Sequence, residues 1–249
     1  MKNNILSIIT PVLNGAKFIE KNIQSIQTLE VPYEHIIVDG GSTDGTLEII
    51  QKFPHLILLN QTNKLGMYAA ISQGFSASCG QYLAYVNADD QVVKDGFERM
   101  FNVISNDDKL DLIYSDSEFF YSATGQTKRS NGAPQAKFLL QHGLMPFIQP
   151  STIYRKDTYL EYAALNYTDF KICGDLDMFY RMSLNPNFSY KYVPVLSSTF
   201  LKYGESLGDR NTTLYLEEIQ KNKLPKPGLL VRIIFKLVRI WTNLFISHS

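Results

Sequence analysis

Three short stretches place acids where chemistry needs them. The first, "HIIVDGGSTDGT" (35–46), is an apolar run ending in Asp39, two glycines and the hydroxyls of Ser42 and Thr43. A carboxylate at such a tip can accept hydrogen bonds from a base edge or a ribose, and the hydroxyls can donate or accept beside it. The same residues also read as a glycine-rich turn in which Asp44 caps the next helix. The second, "YLAYVNADDQVV" (82–93), ends an apolar strand in adjacent Asp89 and Asp90, with no basic neighbour in sequence. Like charges that close are costly unless a cation is shared. A hard divalent ion, Mg²⁺ or Mn²⁺, bound by carboxylate and diphosphate oxygens meets that need. The third, "KICGDLDMFYRM" (171–182), opens a helix with Asp175 and Asp177. Two residues apart on a helix is about 200°, so only one of the pair can face a cleft, while the other caps the helix.

These acids need elements to hold them. "ILSIIT" and "HIIVD" read as short apolar strands, as do "LILLN", "QYLAYVN" and "LDLIYSD". Between them, "AKFIEKNIQSIQTL" carries Phe18, Ile23, Ile26 and Leu29 at helical spacing, and further helical patterns open near Asp44, at "GMYAAISQGFSAS" and at "KDGFERMFNVI". Strand and helix in alternation predict a Rossmann-like, mostly parallel α/β sheet with helices on both faces. Ligands in such sheets bind beyond the carboxyl ends of the strands. The segments 10–14, 39–43 and 87–90 all follow strand ends and converge on one rim. After about residue 110 the alternation gives way to aromatic and polar segments, with a turn at Thr124-Gly125, an α+β portion that completes a cleft.

Other chemistries are excluded by what is missing. No "GxGxxG" follows the first strand and no "GxxxxGK[ST]" is present, which argues against dinucleotide oxidoreductases and P-loop hydrolases. The two cysteines, Cys79 and Cys173, lie far apart with no paired spacing, so neither a disulfide framework nor a zinc site is supported. "MKNNILSIITPVLNG" lacks a signal-peptide cleavage site and reads as the first strand, so a reducing, cytoplasmic setting is expected. The net charge is zero, yet the segment from Lys221 to Ser249 carries six Lys or Arg and no acid. A mildly acidic body argues against nucleic acid, and the basic tail invites an anionic surface. After "LPKPG", Arg232, Lys236, Arg239 and Asn243 recur on one narrow face of an otherwise apolar helix. Three cations disfavour a membrane span, and the pattern predicts an amphipathic helix over 229–246, lying on the inner face of an anionic membrane or packed on protein.

In combination these motifs resemble the inverting family 2 glycosyltransferases with the GT-A fold, particularly the bacterial polysaccharide-assembly type. The resemblance rests on "SIITPVLNG", "VDGGSTDGT", "NADD", "STIYRKDTY" and "GDLDMFYRM", in the family's order over roughly residues 5 to 210. It implies a nucleotide-sugar donor, usually a UDP-sugar, on an N-terminal half (1–110) and an acceptor such as a lipid-linked saccharide on a second half (111–223), followed by the basic tail (224–249). Carried over, Thr10 and Pro11 would line a uridine pocket, Asp39 would bond the base, and Ser42 would sit beside it. Asp89 and Asp90 would share ribose and metal-diphosphate contacts, and Asp175 matches the general base. Asn87 stands where many relatives have the first Asp of the metal element, and Met67 where some carry an Arg near the donor. "FLKYGES" has Tyr203 in place of a glycine of a related element. Two rival readings keep the acids: a metal-dependent nucleotidyltransferase, and a non-catalytic scaffold of the same fold in a membrane assembly complex.

Overall fold

The computed structural model describes residues 5–61, 65–164, 169–203 and 212–245. Nine strands among the described residues form one mixed sheet. They are β1 (Leu6–Val12), β2 (Tyr33–Asp39), β3 (Ile57–Asn60), β4 (Tyr82–Tyr85), β5 (Gln91–Val92), β6 (Leu112–Tyr121), β7 (Gln126–Ser130), β8 (Thr152–Arg155) and β9 (Tyr190–Lys202). The order is β3-β2-β1-β4-β8-β6-β9-β5, with β7 hairpinned onto β6. Strands β1 to β4 pair in parallel, as the alternation predicts. From β8 onward the pairing is mixed: β8 runs antiparallel to both β4 and β6, and β6 runs parallel to β9.

The helices are α1 (Ile19–Gln27), α2 (Thr46–Ile50), α3 (Met67–Ala77), α4 (Lys94–Ser105), α5 (Ala136–Gln141), α6 (Lys156–Thr158), α7 (Gly174–Ser183), α8 (Thr212–Lys221) and α9 (Leu229–Phe245). Alternate side chains of β1 leave on opposite faces, so each face acquires its own core. Ile9, Leu83 and Tyr114 pack with Phe75 of α3 and with Leu176 and Phe179 of α7. Ile8, Ala84 and Ile113 pack with Ile26 of α1 and with Phe97 and Phe101 of α4.

Strand β1 runs on through Thr10 and Pro11 to Val12, past the point where the sequence predicts a stop. The β1–β4 ladder ends with the Val86 N–H on the Ile9 carbonyl, and Pro11, which has no N–H to donate, lies just beyond that last bond. Pairing with β2 carries the strand on to Val12.

One buried side chain ties this sheet to the rim. Asn22 of α1 is fully buried, and its amide donates to the carbonyls of Asn87 and Asp90, each at 2.9 Å. Its oxygen accepts the Thr10 hydroxyl at 3.3 Å. The turn carrying Asp89 is therefore fixed from beneath. Asn22→Ala leaves the buried Asp90 carbonyl without its partner, while the Asn87 carbonyl keeps the Asp90 N–H, and is expected to cost about 1–3 kcal/mol, the penalty of one orphaned group. Urea unfolding monitored by circular dichroism measures it, and a loss under ~1 kcal/mol would show that the clamp carries no weight.

Candidate functional site

The loops after β1 and β2 are laced together. Asn14, in the left-handed region at φ 53°, donates its N–H to Ser42 Oγ at 2.8 Å and accepts the Thr43 N–H on Oδ1 at 2.9 Å. Gly15 N–H bonds Thr46 Oγ1 at 2.9 Å, and Ala16 N–H bonds Asp44 Oδ2 at 3.0 Å. Asp39 accepts the N–H groups of Gly41 at 2.8 Å and Ser42 at 3.0 Å. Asp39, Ser42 and Asp44 thus shape the loops through backbone contacts. Asp44 also accepts the Thr46 N–H at 3.1 Å, but the N-cap of α2 is Gly45, one residue beyond the cap the sequence suggests.

Those loops wall one side of a cleft of about 620 Å³ at the carboxyl ends of β1, β2 and β4. Pro11, Asn14, Gly40 and Met67 line that side, and Asn87 and Asp89 line the floor. Lys171, Asp175, Gln149 and Tyr203 close the other side. Of the residues singled out in the sequence, Pro11, Met67, Asn87, Asp89 and Asp175 meet in this cleft. Thr10 does not: it is fully buried, with its hydroxyl 2.9 Å from His35 Nε2. Asp39 lies beneath the loop and is 1% exposed.

The adjacent acids are separated by the turn. Asp89 faces the cleft, where burial raises its carboxyl above the ordinary range and a hydrogen bond with Tyr203 opposes the rise. Asp90 turns inward. Its Oδ1 accepts the Leu201 N–H at 3.2 Å, and its Oδ2 has no partner. Burial, with the charge of Asp89 beside it, pushes the Asp90 carboxyl well above its ordinary value. Among the described residues no group of three or more His, Cys, Asp or Glu is arranged to hold a metal ion.

Helix α7 separates its own acids as the 200° spacing requires. Asp177 turns into the protein and pairs with Arg181 at 2.8 Å. Asp175 faces the cleft from the first turn. Its Oδ1 accepts the Leu176 N–H at 2.8 Å, and the Tyr68 hydroxyl approaches it at 3.3 Å while donating to the Ile172 carbonyl at 2.7 Å. Burial pushes the Asp175 carboxyl up to about 6, against the pull of the Leu176 N–H and Tyr68. A carboxyl tuned toward neutrality in a cleft suits proton transfer.

Several cleft residues gave no functional signal in the sequence. Phe18 reads there as part of a buried helical stripe, but its ring packs on Tyr203 with centroids 5.1 Å apart. Gln149 holds the Tyr85 carbonyl at 2.9 Å, and Tyr68 lies in an apolar helix. In "FLKYGES", Lys202 and Tyr203 reach the cleft, while Gly204, Glu205 and Ser206 lie outside the described residues.

Comparison with known proteins bears on this geometry. The family model "Glycosyl transferase family 2" matches residues 7–185. An uncharacterized glycosyltransferase of Escherichia coli, YibD, is 33% identical over 132 residues, 51% of this chain and 38% of that protein. A "PGL/p-HBAD biosynthesis glycosyltransferase" of Mycobacterium bovis is 28% identical over 245 residues, 95% of this chain and 91% of the relative. The crystal structure of Staphylococcus aureus TarS 1-349 in complex with UDP superposes with a TM-score of 0.64 at 16% identity, covering 86% of this chain and 63% of that one. The same protein with UDP-GlcNAc gives a TM-score of 0.59 at 18% identity, covering 81% and 59%. The chain belongs to glycosyl transferase family 2 and has its GT-A fold.

Proposed function

We propose that the protein is an inverting glycosyltransferase that moves a sugar from a nucleotide-diphosphate donor, a UDP-sugar, to an acceptor hydroxyl. The observation that carries this reading is Asp175, a single carboxylate raised to about 6 and set in the cleft opposite the β1 and β2 loops. The donor nucleotide would lie along Pro11, Asn14, Gly40 and Met67, with the acceptor entering past Lys171. This division makes 1–110 the donor half and 111–223 the acceptor half, with 224–249 a separate tail. The UDP and UDP-GlcNAc complexes of TarS support the choice of nucleotide.

In the reaction, an acceptor oxygen attacks the anomeric carbon on the face opposite the diphosphate. The new carbon–oxygen bond forms as the carbon–diphosphate bond breaks, and Asp175 takes the acceptor proton. One displacement inverts the configuration, and no covalent sugar–enzyme intermediate is needed. The chain's residues fit a divalent cation, because Asp89 alone of the adjacent acids faces the cleft. Mg²⁺ in such sites takes one or two carboxylates and fills its shell with phosphate oxygens and water. When bound there it supplies Lewis-acid stabilisation of the departing diphosphate. Asp90, buried and turned away from the cleft, would support the turn. A nucleotidyltransferase is disfavoured because the chain has no glycine-rich basic loop to hold a triphosphate.

The tail suits an acceptor held at a membrane. Helix α9 packs on its own domain through Arg239, which bonds Ser130 Oγ at 2.7 Å, and through buried Thr242, whose carbonyl accepts from Asn131 at 3.3 Å. Its opposite side exposes Leu229, Leu230, Ile233, Ile234, Leu237, Ile240 and Trp241. These span about 140° of the helix circumference. Exposed Arg232 and Lys236 lie along one edge of that arc. No described helix is long and apolar enough to cross a membrane. We assign the exposed arc to peripheral attachment at an anionic, cytoplasmic membrane face, which fits a lipid-linked saccharide acceptor in surface-polysaccharide assembly.

Asp175→Asn is expected to lower turnover by about 10²–10⁴-fold, the usual worth of a positioned proton acceptor, with UDP affinity nearly unchanged. The wild-type rate should fall as pH drops through about 6, because Asp175 must be ionised to accept a proton. The same raised value means that ionising Asp175 costs the folded state stability above the unfolded pKa. Asp175→Asn should therefore melt at a higher temperature at pH 8. Full turnover in the variant would remove the assignment. For the tail, the full chain should sediment with vesicles of phosphatidylglycerol and lose that binding on truncation after Lys223; sedimentation unaffected by the truncation would refute the attachment.

A further inference from the structure

Glu218 of α8 lies beyond the family-matched region, and the reaction as described makes no use of it. It is 4% exposed, and its carboxylate accepts three consecutive backbone N–H groups. Oε1 takes Lys171 N–H at 2.7 Å, and Oε2 takes those of Ile172 and Cys173, each at 3.1 Å. The Cys173 thiol donates to Oε2 as well, at 3.2 Å. No ion pair is made to this carboxylate among the described residues, so backbone amides are its counter-charge. Those amides belong to the turn that leads into α7, two to four residues before Asp175. Cys173 is the N-cap of α7 and the other two amides lie just before it, so the three N–H groups form a run of backbone donors beside a helix start, where negative charge is favoured.

The clamp reaches Asp175 by two routes. Covalently, the turn enters α7 at Gly174, whose backbone lies so close to the Tyr68 ring that an added Cβ would sit 2.7 Å from it. Through space, the Ile172 carbonyl holds the Tyr68 hydroxyl, which in turn approaches Asp175. We propose that Glu218 is a positioning residue for the transfer reaction: it fixes the 171–173 turn so that Asp175 and Tyr68 meet in the cleft, and its negative charge sustains the basicity of Asp175. The inference rests on Asp175 being the base.

The electrostatic side has a definite sign. Groups facing Asp175 are Tyr68 from α3, Tyr85 from β4, Cys173 from the turn, and Tyr215 and Glu218 from α8. Lys171, Lys202 and Asp89 share the cleft with it. Burial is the largest cause of the raised Asp175 value, and the charge of Glu218, the smallest of the influences on it, adds in the same direction. Removing that charge stabilises ionised Asp175, so its titration moves down. The freed N–H groups of the turn act in the same direction.

The test compares wild type, Glu218→Gln, Glu218→Asp and Asp175→Asn as full-length chains. Carboxyl ¹³C NMR of aspartate-labelled protein follows Asp175, with Asp175→Asn identifying its resonance. UDP release from UDP-glucose, UDP-galactose and UDP-GlcNAc follows turnover, with water as acceptor. In Glu218→Gln the titration should move from about 6 to lower pH, and turnover should fall by about 10²-fold, as for a misplaced catalytic group. UDP affinity should stay at the wild-type value. Glu218→Asp, keeping the charge, should hold the titration at its wild-type position. An unmoved titration in a folded Glu218→Gln protein overturns the inference, whatever Asp175 does in catalysis. Undiminished UDP release by Asp175→Asn instead overturns the base assignment, and the NMR shift would still stand.

Discussion

Carboxylates taken out of water are the constraint around which this molecule is arranged. An apolar sheet covered on both faces places its strand ends in a low-dielectric setting, where an ionised acid is costly unless something answers its charge. Here backbone amides answer most often. Asp39 takes the N–H groups of Gly41 and Ser42, Asp90 that of Leu201, and Asp175 that of Leu176. Glu218 takes three in a row. Fixed amide dipoles, in place of ion pairs, hold these acids among the described residues.

The degree of compensation separates roles. Asp39 has both oxygens engaged and shapes a loop. Asp90 has one N–H and one oxygen without a partner, and burial pushes its carboxyl well above the ordinary value. Asp175 falls between them: its Oδ1 is held, while its carboxyl is raised only to about 6. A base must be ionised near neutrality yet keen to take a proton, and partial compensation produces that state. The stability lost by ionising a buried acid is the usual cost of such tuning.

The parallel half of the fold is legible because each strand ends in a polar cluster and each helix has a regular stripe. Convergence of 10–14, 39–43 and 87–90 on one rim follows from topology alone. The turn-level contacts do not. Asp89 and Asp90 are indistinguishable in sequence, and only the Asn22 clamp and the pairing of β5 with β9 decide which one faces the cleft. Thr10 reads as a loop residue because Pro11 suggests a stop, whereas pairing with β2 carries the strand on to Val12. Phe18 and Tyr203 meet from segments 185 positions apart, a juxtaposition that periodicity does not carry. The mixed pairing beyond β4 was hidden for the same reason, since strands β6, β8 and β9 find one another over long separations. In α9 the apolar and basic faces were visible, but the contact of Arg239 with Ser130 depends on where β7 ends.

The central claim is that the cleft beside Asp89 and Asp175 receives a nucleotide diphosphate. Its most direct test is a calorimetric titration of the full chain with UDP, with and without Mn²⁺, repeated on Asp89→Asn. Binding that strengthens with Mn²⁺ in the wild type, and loses that enhancement in the variant, is the predicted result. No binding of UDP in either condition would contradict it.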